Sequence, residues 1–422
     1  MIFGKTQLES GIKVITETIP HVRSVALGFW VGVGARDEPE KYSGMSHFLE
    51  HLLFKGTAKY SARKISETFE ALGGELNAFS AKEYTCFHAR ILDEHLPVAV
   101  EVLSDMLQRP LFKEEDIVSE KEVVLEEINL HMDTPDEQIH DLFVDALWGN
   151  HPLGRSALGE VETVRSFTRG DVRDFFSKGY ATKNILIAAA GHLDHEELVD
   201  LVQKHFADNG GGNLTRHEII PTVKSRVKVH RKQTEQAHLC YGTQGLHARH
   251  DDRFALVILD NILGGGMSSR LFQEIREKRG LVYSIYSYHS LYTEAGLMAV
   301  YAGTRPSKAE EVLRLIQKEI DDLVKNGVFP EELHRAKEYL KGYLVLSLEN
   351  TNSRMARLGK SELVHREILS LDELVEKIEG VTVEDVQRVA KALFETDRMV
   401  LTAIGPLEEE ELARWMRIEE RV

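Results

Sequence analysis

The chain has 422 residues, 42% of them apolar and 28% charged, which excludes a disordered or fibrous protein; since a single hydrophobic core stops growing at roughly 250 to 300 residues, two domains are expected. Its formal charge of −16 excludes a nucleic-acid partner, because such binding is driven by Lys and Arg neutralising phosphates. No apolar stretch approaches the roughly 20 residues that cross a bilayer, which excludes a membrane-spanning helix.

The N-terminal MIFGKTQLESGIKVI lacks the charged start, apolar middle and small-residue cleavage site of a secretory signal, so the protein is expected in the cytoplasm. Val25 to Val33 and Ile185 to Ala190 read as buried strands. The two cysteines, Cys86 and Cys240, lie in apolar strand-like segments without metal-ligand spacing and read as buried and reduced. An acidic surface would attract basic peptides.

Between Gly44 and Gly56 runs a stretch of helix formers containing His47-Phe48-Leu49-Glu50-His51. On a helix, His47 and His51 fall within roughly 40° of each other and about 6 Å apart along the axis, so both imidazoles can reach one ion. Glu50 shares nearly the same face, where its carboxylate can take a proton from an attacking water. The order H-x-x-E-H is the inverted zincin signature. Zinc needs a third ligand from nitrogen, sulfur or oxygen. The acidic segment EEDIVSEKEVVLEEINLHMD, residues 114–133, offers Glu120 and Glu127, two turns apart on one face. Spacing does not single out Glu127 over Glu122, Glu126 or His131.

The segment starting at Thr168 repeats from Thr382 at a constant offset of 214 residues, pairing Asp171 with Asp385, Gly191 with Gly405 and Leu193 with Leu407. Such self-similarity marks tandem copies of one unit. Each copy ends with a short helix, an apolar strand, a glycine turn and an acidic helix. The same offset carries the metal motif onto Asn261, Gly264 and Gly265, so the second copy has no ligands. NGGGN at 209–213 reads as a linker, placing an active-site domain at 1–214 and a homologous metal-free domain at 215–422. The pattern fits an α+β fold, each domain a mainly antiparallel sheet with helices on one face.

With HFLEHLLFKGT at 47–57, the chain resembles, over essentially its whole length, the pitrilysin, insulinase and mitochondrial processing peptidase family of zinc metallopeptidases. The resemblance implies a zinc endopeptidase with one Zn2+ per active-site domain, in a clamshell dimer enclosing a chamber. The family's third ligand lies 76 residues after the second histidine, which selects Glu127; Glu120 matches its supporting glutamate. GGELNAFSAKEYT at 73–85 resembles the family's substrate edge strand, in which Asn77 and Ala78 would hold an extended peptide by strand addition. Arg276 and Tyr283 have the spacing of the family's pair that contacts substrate and the developing oxyanion. In short-chain members that pair comes from the partner subunit, implying a homodimer with sites completed in trans. Glu137 and Asp141 match acids that bind an arginine two residues before the cut, although Pro135 is expected to break the helix before them. LGGGMSSRLF at 263–272 resembles a shortened glycine-rich loop and lacks the Lys-Ser/Thr ending of a phosphate cradle. Noncatalytic members imply the alternative of a scaffold or peptide-binding subunit.

Overall fold

The computed structural model describes residues 2–207, 214, 216 and 219–416. The expected linker at 209–213 lies outside the described residues. The two repeated segments fold alike. Thr168 and Thr382 each accept the N–H of the aspartate three residues on, at 3.2 Å, and that aspartate accepts the threonine N–H at 2.9 Å. These capping boxes open the helices Arg169–Gly179 and Val383–Leu393 by satisfying N–H groups that have no partner within the helix. Both copies then enter a fully buried strand that ends at a glycine with φ of +141° or +153°. A Cβ at Gly191 would lie 2.1 Å from the carbonyl oxygen of Ser24, so both backbone angle and space require glycine there.

The strands are β1 (Ile2–Gln7), β2 (Lys13–Thr18), β3 (Ser24–Val31), β4 (Glu75–Ser80), β5 (Thr85–Leu92) and β6 (Ile185–Gly191), then β7 (Arg226–Arg231), β8 (Ala237–Gly245), β9 (Val282–Leu291), β10 (Gly296–Thr304) and β11 (Val400–Gly405). The first sheet has the order β1-β2-β6-β3-β5-β4, the second β7-β11-β8-β10-β9. In each, one pairing is parallel, β2 with β6 and β7 with β11, and the rest are antiparallel. Strand for strand the second sheet repeats the first without β1, as a duplication requires.

Two compact units result: Met1–Leu130 with Arg155–His217 and Leu346–Ile368, and His131–Gly154 with Glu218–Val345 and Leu369–Val422. A single cut at 214/215 does not describe them, because residues 131–154 belong to the second unit and residues 346–368 to the first.

Those two segments also correct the expectation of helices on one face only. One face of the first sheet packs Leu27, Phe29 and Phe87 with Phe48, Leu52 and Leu103. Its other face packs Trp30, Cys86 and Ala188 with Met355 and Leu358 of the helix Thr351–Lys360. The second sheet likewise carries Leu259, Leu263 and Ile316 on one side, and Ile139, Phe143 and Trp148 of the helix Pro135–Trp148 on the other. The reason lies in the strands: β6 and β10 are buried at every position, and continuous apolar runs need cover on both faces. Among the described residues, no helix is long and apolar enough to cross a membrane.

Candidate metal centre

The motif helix Met45–Leu53 starts where Gly44 takes φ +91°. Met45, Phe48, Leu49, Leu52 and Leu53 are buried, which turns His47, Glu50 and His51 to the half-exposed side. The acidic helix Glu114–Asp133 buries Ile117, Val124 and Ile128 together with Glu120. Glu122, Glu126 and Glu127 are all exposed, and of the three it is Glu127 whose carboxylate meets the imidazoles.

The resulting geometry is compact. Nε2 of His47 and Nε2 of His51 are 3.1 Å apart, and Oε2 of Glu127 lies 3.3 Å from the first and 3.5 Å from the second. Tetrahedral donors about 2.0 to 2.1 Å from a common zinc would be separated by roughly 3.3 Å. Two imidazole nitrogens and one carboxylate oxygen are also a donor set that zinc accepts. The residues therefore fit the ion on both distance and chemistry. Among the described residues, this is the one group of three His, Cys, Asp or Glu side chains so placed.

Two carboxylates stand behind and beside this triangle. Glu120, 3% exposed, accepts from Nδ1 of His51 at 2.9 Å, which leaves the Nε2 lone pair facing Glu127 and His47. Burial raises the Glu120 carboxyl, but its contacts with His51 and Lys55 outweigh that and hold it below its ordinary value. Oε2 of Glu50 accepts from the Ser80 hydroxyl at 2.7 Å. Burial pushes the Glu50 carboxyl up against that hydrogen bond, in the direction a general base needs. Burial, then the neighbouring His51, lowers His47 to about 4, so it is neutral near pH 7. For His51, burial lowers the pKa, and Glu120, Glu127 and Glu50 together raise it above the ordinary value.

β4 is an edge strand, as expected, with Asn77 exposed and Ala78 half-buried. The Asn77 side chain accepts the Ala78 N–H at 2.8 Å, and Ser80, three residues on, ties the strand to Glu50. In the second unit the Arg276 guanidinium lies over the Tyr283 ring, 5.5 Å from its centroid, and Tyr283 is 79% exposed. The structure thus brings this predicted pair together. Pro135 does end the preceding helix, at Asp133, and occupies the first position of the next. Glu137 and Asp141 stay one turn apart and flank His131, at 3.7 and 3.3 Å. Hydrogen bonding to Asp141, more than its opposing burial, raises the His131 pKa.

Three participants escaped the sequence reading: Ser80, Lys55 and His131 in its role beside the acids. Neither Lys55, whose partner Glu120 comes from another helix, nor Ser80 had a local spacing signal.

The description Insulinase (Peptidase family M16) matches residues 13–161, and Peptidase M16 inactive domain matches residues 166–340. The chain belongs to peptidase family M16. It is 44% identical over 418 residues to an uncharacterized zinc protease of Streptomyces coelicolor, SCO5738, spanning 97% of this chain and 91% of the relative. It is 42% identical over 399 residues to the uncharacterized zinc protease YmxG of Bacillus subtilis, spanning 94% and 97%. Among solved structures, a protease from Helicobacter pylori superposes with a TM-score of 0.89 at 23% identity, over 96% of this chain and 100% of that one. A peptidase M16 inactive domain from Pseudomonas fluorescens does so with the same score and identity, over 97% and 99%. At that identity these two bear on the M16 fold alone.

Proposed function

We propose that this M16 chain is a zinc-dependent endopeptidase of the cytoplasm that cleaves peptides or unfolded segments. The observation that carries the reading is the convergence of His47, His51 and Glu127 on one point, 3.1 to 3.5 Å from one another, with Glu50 held beside them. Relatives over 90% of whose length this chain matches bear the name zinc protease. Bound by those three residues, zinc supplies Lewis acidity that polarises the scissile carbonyl and lowers the pKa of a water.

The chain's own residues do the rest. Ser80 holds one oxygen of Glu50, leaving the other to accept the proton of the attacking water and pass it to the leaving amine. Asn77 and Ala78 hold the substrate as an added strand beside β4. Arg276 and Tyr283 steady the oxyanion; their completing the site from the partner in a homodimer, around an enclosed chamber, rests on the family resemblance. Glu137 and Asp141 hold an arginine near the cut, their i, i+4 spacing suiting a guanidinium fork.

Glu50→Gln tests the assignment. Zinc content should stay stoichiometric while cleavage of a basic peptide, followed by mass spectrometry, falls by roughly a hundred- to ten-thousand-fold. Near-normal turnover would refute Glu50 as the base, and purified protein without zinc would favour the scaffold alternative.

A further inference from the structure

Behind His51 lies a second layer in which each group has an assigned partner. Glu120 is nearly wholly buried. One of its oxygens is used by Nδ1 of His51. The other is ion-paired with Nζ of Lys55. Lys55 stands just past the end of the motif helix, where its own N–H closes onto the carbonyl of Leu52 at 3.1 Å. Its side chain is 34% exposed, enough for the ammonium to keep part of its hydration while its stem lies against the protein. Among the described residues, Glu120 is the one carboxylate within ion-pair distance of Lys55.

A buried carboxylate with one oxygen unpaired is costly, and nothing else in this layer carries a positive charge toward that second oxygen. Without the ammonium, the carboxylate is free to turn toward water, and the imidazole loses the acceptor that sets its tautomer and ring angle. Ligand orientation by such outer partners governs metal affinity. We propose that Lys55 is a positioning residue for the metal centre, acting through Glu120 to hold His51 with its Nε2 toward the shared point. The inference rests on the zinc reading of the site and adds to it a residue that touches neither metal nor substrate.

Zinc affinity of the full chain, measured by competition with a chromophoric chelator, tests this. Lys55→Met should weaken binding by roughly 10- to 100-fold, and Lys55→Arg, which keeps the charge, should restore it to within a few-fold of wild type. The double variant Lys55→Met with Glu120→Gln should bind zinc no more weakly than Glu120→Gln alone, because the lysine acts only through that carboxylate. A merely structural tether would instead lower the unfolding temperature of the metal-free protein and leave its zinc affinity unchanged. Should Lys55→Met not fold, Lys55→Gln takes its place, with the same expected loss. Wild-type affinity in the uncharged variant, or additive losses in the double variant, overturns the inference. Because wild-type protein is titrated alongside, a failure of the zinc reading itself shows separately, as absence of stoichiometric zinc in the parent.

Discussion

Replacing Glu38 with glutamine should change how stability depends on pH, and the structure gives the size of the change. Glu38 is 3% exposed, and its carboxylate accepts the N–H of Gly44 at 2.7 Å and of Ser46 at 2.6 Å, capping the helix that carries His47, Glu50 and His51. Burial pushes this carboxyl up from 4.5 to about 7, against the pull of those hydrogen bonds and of Arg155. An acid whose folded-state pKa exceeds its unfolded value keeps a proton that the unfolded chain has released. Its contribution is therefore complete below the unfolded pKa and is lost as pH rises through the folded one. At about 1.4 kcal/mol per pH unit, that interval amounts to about 3 kcal/mol. Glu38→Gln keeps the shape and does not titrate. Urea unfolding of chelator-treated protein at pH 5 to 8 should show wild type losing about 2 to 3 kcal/mol relative to the variant. All other titrating groups are common to both chains and cancel in the difference. A difference constant to within about 0.5 kcal/mol would mean that the helix terminus keeps the carboxylate ionised despite burial, and would refute the reasoning.

Met355 fills the second face of the first sheet beside Trp30 and Leu358, so Met355→Ala should cost about 2 to 4 kcal/mol in denaturant unfolding; a loss under about 0.5 kcal/mol would show that this face closes over the gap. Mixing His51→Ala chains with Arg276→Ala chains should restore peptide cleavage if the pair acts across a dimer, and mixtures that exchange subunits yet stay inactive place the pair within one chain. Glu137→Gln combined with Asp141→Asn should reduce any preference for arginine near the cut in a peptide library by roughly 10- to 150-fold, since charge-assisted pairs of this kind are worth about 1.5 to 3 kcal/mol; an unchanged preference removes these acids from the specificity assignment.

How much of the site was legible follows from how far apart its parts lie in the chain. His47, Glu50 and His51 sit within one helical turn, so the rotation per residue alone put them on one side of the helix, and the structure agrees. The repeat was also legible, because capping threonines, strand lengths and glycine turns are local features that recur at a fixed offset. Glu127 was different. Periodicity left it equal to Glu122 and Glu126, and the family resemblance, not spacing, pointed to it.

What the amino-acid sequence determined by itself was therefore the pair of histidines with their acid, the duplication, and a metal-free second copy. Tertiary packing decided which carboxylate of the acidic helix meets the imidazoles, that Ser80 holds Glu50 and Lys55 pairs with Glu120, and that residues 131–154 and 346–368 cover the second faces of the two sheets. The division has a physical reason. Backbone periodicity sets neighbours only three or four residues apart, whereas the partners across a packed core are chosen by which apolar faces bury against each other.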